Sequence, residues 1–178
     1  PGAFSAEQQI ALYSGGFENW WMDGKVAYAN EQGVSFWDTS NKGAASFGGS
    51  NTTETTNANY VHSGSKAARL ESKYIVIKFA AASLYTGSFI ELVGTKGAKL
   101  NWGVPFASRP TALKGYMKYE PAAVNRTNSS APAEAPAKGE PDQCGMYCAL
   151  LSEALVVDNT DMSTFPDWEN DSRVIAYG

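Results

Sequence analysis

A chain of 178 residues with 43% hydrophobic and only 18% charged residues is long enough to bury a core without disulfide or metal staples, and too apolar to be disordered. A net charge of −4, with no cluster of Lys and Arg, excludes the basic surface that nucleic acid or an anionic membrane requires. The longest apolar runs, such as 74–84, are broken by Lys78 and Ser83, so none spans a bilayer and no direct membrane insertion is expected.

The chain opens Pro1-Gly2 without Met, as expected where a leader or tag has been removed. Residues 1–14 read as a lead-in to a single domain over 1–178. Within the lead-in, 6–12 could form a short helix capped by Ser5, but extended structure is favoured because no window carries a long 3.6-residue stripe. Strand candidates follow at short intervals: 33–38, 66–70, 73–79, 87–93, 112–120, 144–151, 154–158 and 173–177. The clearest is KYIVIKF at 73–79, with Ile75, Ile77 and Phe79 on one face. In 112–120, Lys114, Tyr116 and Lys118 share a face that is either solvated or a polar binding face. The stretches 41–56, 95–99 and 159–172 read as polar connections. The segment 121–141, with prolines at 121, 132, 136 and 141, reads as an exposed loop between two strands.

Many short strands, about one turn signal per ten residues, and an abundance of Gly, Thr, Ser and Asn give an all-β fold: a jelly-roll β-sandwich of two antiparallel sheets. The two cysteines, Cys144 and Cys148, stand four residues apart. On one strand that spacing is about 13 Å, beyond disulfide reach, so they are expected to be free and buried.

Three local patterns carry more information: GGFENWW at 15–21, HSGSKAARL at 62–70, and GVPFASRP at 103–110 with LKGYMKY at 113–119. The first two are shared widely among jelly rolls. With LYTGSF and the third pattern, the chain resembles the putative carbohydrate metabolism domain family of Bacteroidetes surface proteins, over about 15–178. That resemblance implies a jelly roll, export to the surface of a Gram-negative cell, and association with glycan use. Family members usually run on past Tyr177-Gly178, so either the chain is cut or another domain or chain completes the sheet, since an unpaired edge is a hazard. Related jelly rolls often hold one structural calcium between the first strand and the HSGS turn. Here the resemblance implies Glu18, Ser65, Lys66 and Asp158 as its ligands.

The partner is expected to be a poly- or oligosaccharide, because sugars bind by stacking on aromatic faces beside fixed hydrogen-bond groups. Trp20, Trp21, Trp37, Trp102 and Trp168 are platform candidates, and Asn101, Arg109 and Tyr116 lie in sequence suited to a site. Trp20 and Trp21 cannot both face inward on a regular strand. Glycoside hydrolysis is the enzymatic alternative, with its two carboxylates drawn from Glu71, Glu91, Glu120, Asp142, Glu153 and Asp158. A purely structural or adhesive surface module is the third. The lone His62 reads as a turn residue, and no GxSxG elbow or phosphate loop is present.

Overall fold

A computed structural model describes residues 9–75, 78–127 and 133–178. Its strands run in chain order as β1 (Trp21–Asp23), β2 (Val26–Tyr28), β3 (Trp37–Thr39), β4 (Thr52–Thr55), β5 (Ala67–Leu70), β6 (Lys73–Ile75), β7 (Lys78–Ala80), β8 (Leu84–Val93), β9 (Gly97–Trp102), β10 (Ala149–Leu151), β11 (Leu155–Asp158) and β12 (Val174–Tyr177). A five-residue helix, α1 (Asn41–Ala45), follows β3, and a 3-10 turn covers Met162–Thr164. The protein is all-β, consistent with a sandwich. Every ladder among the described residues is antiparallel: one four-stranded sheet in the order β11-β9-β8-β3, and four two-stranded sheets. These ladders do not by themselves draw the two broad sheets of a jelly roll.

The four-stranded sheet is centred on β8 and β9. β8 and β9 pair from Gly87↔Trp102 to Val93↔Gly97, with a register shift between Phe89 and Glu91. Gly87 has φ +137, and a side chain there would run into the carbonyl of Asn101. Only glycine lets the two backbones approach this closely. On β11, Leu155 and Val157 are fully buried while Val156 between them is exposed, the period-2 pattern of a sheet with one packed face. Burying such a side chain contributes about 1.5–3 kcal/mol.

The second half of the interior is polar. Asn30, Asp38, Thr39, Asn41, Asn51 and Thr52 are all buried. Such groups are tolerable only when hydrogen-bonded, and Asn41 shows how. Its Nδ2 donates to the carbonyls of Ala27 (2.7 Å) and Thr52 (2.6 Å), and its Oδ1 accepts from the N–H of Asn51 (3.0 Å) and Thr52 (2.9 Å). One side chain thus replaces a missing ladder between β2 and β4, which belong to different sheets.

Several expectations are corrected. KYIVIKF is not one strand: β6 and β7 pair with each other, with Tyr74 opposite Phe79 and Ile75 opposite Lys78. Ile75 is buried and Phe79 exposed, so they do not share a face, and Ile77 lies outside the described residues. The stretch 41–56 is not a plain connection, since it holds α1 and β4. Residues 112–120 join no strand despite their alternation, and no described strand pairs with them. Cys144 and Cys148 are free but exposed, since only 149–151 of that segment is strand. Segment 121–141 is an exposed loop in its described part, closed by an Ala123↔Pro141 bridge; Pro132 lies outside the described residues, as do Ser5 and the start of the lead-in.

Candidate functional site

A concave feature is built on the β1–β2 hairpin. Gly24 and Lys25 are the two turn residues between β1 and β2. Gly24 takes φ +56 while Lys25 does not turn positive, as a type II′ connection requires. The register that follows sets Trp21 opposite Tyr28. Their rings stack at 4.3 Å between centroids with 9° between planes. This cross-strand pair forms one wall of a cavity of about 280 Å³, near the lower end of the size range for small-ligand sites. Trp37 at the start of β3 lines it too. Its indole N–H donates to the Tyr13 carbonyl (3.1 Å), and its ring packs on Phe17 and Phe36.

Polar groups complete the lining. Asn30 is locked on the Trp37 backbone by two hydrogen bonds, donating to its carbonyl (2.6 Å) and accepting from its N–H (2.9 Å). Asp38 accepts from the backbone N–H of Thr39 (2.8 Å) and Phe89 (2.7 Å) and pairs with Lys42 Nζ (2.9 Å). Lys42 Nζ also lies 5.5 Å from the ring centres of both Tyr28 and Phe89. Beside Asp38 on the neighbouring strand, burial, with the Asp38 charge second, pushes the Tyr85 hydroxyl above its ordinary pKa. The cavity therefore offers aromatic surface, a fixed ion pair and no net charge.

The residues expected from the sequence do not converge on one place. Trp37 lines this cavity. Trp20 precedes β1, so strict alternation does not apply to it. Its indole donates to the Phe17 carbonyl (2.7 Å), and it lines a separate 100 Å³ recess with Trp21 and Glu54. Trp102 is a packing residue of β9: its ring meets Phe165 edge-on at 5.5 Å, and its buried indole N–H has no hydrogen-bond partner among the described residues. Asn101 beside it belongs to the β8–β9 ladder. Arg109 is exposed in irregular chain, and Tyr116 stacks on His62 at the surface. Tyr28, Asn30, Asp38 and Lys42 were missed. A Gly24-Lys25 turn, with Gly at its first central position, was the signal that could have paired Trp21 with Tyr28.

The expected metal set is brought together only in part. Glu18 meets Ser65 and Lys66: its carboxylate accepts from Ser65 Oγ (2.6 Å), from the Ser65 N–H at both oxygens (3.0 and 3.2 Å) and from the Lys66 N–H (3.3 Å). Asp158 sits at the end of β11, with its own hydrogen bonds to Thr160. N–H and O–H donors are the partners of an anion. A calcium shell would draw its six to eight oxygens from the carboxylates, the Ser65 hydroxyl and backbone carbonyls. Among the described residues no group of three or more His, Cys, Asp or Glu side chains is placed to hold a metal. Instead Glu18 clamps a turn at Gly64, whose φ of +76 and close approach to the carboxylate leave no room for a side chain.

The Ser65 hydroxyl, then the two backbone N–H groups, hold the Glu18 carboxyl below its ordinary value of 4.5. A lowered folded-state pKa contributes stability above that ordinary value, lost as pH falls through the folded one. Amide exchange at Ser65 and Lys66 is therefore expected to accelerate, relative to other turns, below about pH 4.5. Glu18→Gln should show fast exchange there at every pH, and a chelator should leave the melting temperature unchanged. Slower exchange and a higher melting temperature with added calcium would return Glu18 to the role of a ligand.

Besides Asp158, four of the six carboxylates considered for hydrolysis have partners of their own. Glu71 bonds Arg69, Glu91 bonds Lys99, Glu120 bonds Lys118, and Asp142 bonds the N–H of Gln143. No curated protein and no solved structure matches this chain. A family model does, over residues 16–178, nearly the whole domain. By that match, the chain belongs to the putative carbohydrate metabolism domain family.

Proposed function

We propose that this protein is a non-catalytic carbohydrate-binding module of a bacterial surface glycan-utilisation protein, holding a sugar ring against the Trp21, Tyr28 and Trp37 wall. The observation that carries this reading is the stacked Trp21–Tyr28 pair beside the Asp38–Lys42 ion pair in one small cavity, in a chain of a carbohydrate family. An aromatic wall desolvates the apolar face of a pyranose, and fixed polar groups orient its hydroxyls. Asp38 is the one carboxylate lining the cavity, and its oxygens already take three donors, which supports binding over acid–base hydrolysis. Because Lys42 is neutralised by Asp38, the site suits neutral sugars over uronic acids.

Titrating an oligosaccharide panel against tryptophan fluorescence, with a parallel assay for new reducing ends, tests this. A neutral sugar should change the fluorescence, its uronic counterpart should bind more weakly, and no product should form. Release of reducing ends, or silence across every neutral sugar, would overturn the reading.

A further inference from the structure

Away from the cavity, two irregular segments meet through aromatic side chains. Residues 111–120 are exposed throughout. They lie against the 57–65 loop by named contacts. The Tyr116 ring stacks on His62 with centroids 3.3 Å apart and 12° between planes. Lys118 Nζ sits 4.4 Å from the centre of the Tyr60 ring and pairs with Glu120 (3.0 Å). The Tyr60 hydroxyl reaches Glu120 Oε2 at 3.4 Å.

The loop beneath is held. Glu18 fixes the Gly64-Ser65 turn, and the Tyr60 and Val61 N–H groups close on the Asn57 carbonyl. His62 therefore stands on a constrained base. It covers one face of Tyr116, yet Tyr116 remains 80% exposed, so its other face is turned to solvent. A flat ring backed by the His62 imidazole, on a segment whose Lys118 ammonium and Glu120 carboxylate lie against Tyr60, is not needed for the core. It matches the requirements of a pyranose: an apolar face to stack on and polar groups for equatorial hydroxyls. The alternation of 112–120 could be read as a polar binding face from sequence, but the stacking partner comes from a loop about 50 residues away.

We propose that Tyr116, backed by His62 and flanked by Tyr60, Lys118 and Glu120, is a second sugar-stacking surface that engages a neutral polysaccharide outside the cavity. It rests on the carbohydrate-binding reading above but uses none of the cavity residues. The cavity takes one ring, and the exposed platform adds contact along a longer chain, gaining affinity by valency.

The test is affinity electrophoresis of the whole domain in gels holding a soluble β-glucan, a xylan or a mannan, beside fluorescence titration with the short oligosaccharides that bind the cavity. Tyr116→Ala should weaken polysaccharide retention roughly three- to tenfold, and leave short-sugar affinity unchanged. Tyr116→Phe should behave as wild type, and circular dichroism should show both folded, as expected for so exposed a residue. Wild-type retention of Tyr116→Ala on every polysaccharide that retards the wild type would overturn the platform while leaving the cavity reading intact. Loss of short-sugar binding in Tyr116→Ala would deny that the two surfaces are separate. A change confined to self-association in sedimentation would make the face a contact between copies of the chain. Failure of every polysaccharide and every short sugar to bind the wild type would overturn both proposals together.

Discussion

Replacing Asn41 by alanine is expected to lower stability by about 3–5 kcal/mol, because it strips partners from buried backbone groups that have no water to turn to. Asn41 is fully buried. Its removal leaves the N–H of Asn51 and Thr52 without acceptors, and the carbonyls of Ala27 and Thr52 without a donor. Each stranded group costs roughly 1–3 kcal/mol, and relaxation keeps the sum below the arithmetic total. Asn41→Asp should be no milder, since it keeps the acceptor half but aims a buried carboxylate at two carbonyl oxygens. Urea denaturation followed by tryptophan fluorescence measures both. A loss under about 1 kcal/mol for Asn41→Ala would mean that β2 and β4 are joined by something other than this side chain.

This dependence on one amide shows why the fold class was legible and its assembly was not. Strand candidates at 66–70, 87–93, 154–158 and 173–177 overlap β5, β8, β11 and β12, because short alternating segments between turn residues constrain the backbone locally. Ladder partners are set by long-range contacts. Alternation in 112–120 is real in the sequence, yet a strand exists only where a neighbour accepts its hydrogen bonds, and among the described residues none does. KYIVIKF carries the strongest strand propensity in the chain and no Gly, Asn or Asp to announce that its halves pair with each other. The five residues of α1 are too few to leave a helical period.

The site was half legible for the same reason. Aromatic content pointed to sugar stacking and picked out Trp37, but exposure separates platform from core, and the sequence does not carry it. Trp102 looked loop-borne beside Asn101 and proved to be a strand residue wedged on Phe165. Glu18, Ser65 and Lys66, grouped through the family resemblance, meet in space although 47 residues separate Glu18 from Ser65. What the grouping does depends on whether donors or acceptors face the carboxylate, which only coordinates reveal.

The sharpest functional test follows from that distinction between platform and core. Tyr28→Ala is expected to weaken neutral-sugar binding about ten- to thirtyfold, the loss of one stacked aromatic wall worth about 1.5–2 kcal/mol. Tyr28 is half-buried on a three-residue strand, and the β1–β2 ladder does not depend on its side chain, so the domain should stay folded with a modestly lower urea midpoint. Tyr28→Phe preserves the ring against Trp21 and should keep binding within about threefold, which separates stacking from any role of the hydroxyl. Trp102→Ala supplies the contrast: its ring packs between β9 and Phe165, so stability should fall while the folded fraction keeps its affinity. If Tyr28→Ala bound as tightly as wild type and Trp102→Ala did not, the sugar would lie on the β9 side of the molecule. The stacked pair on the hairpin would then serve packing alone.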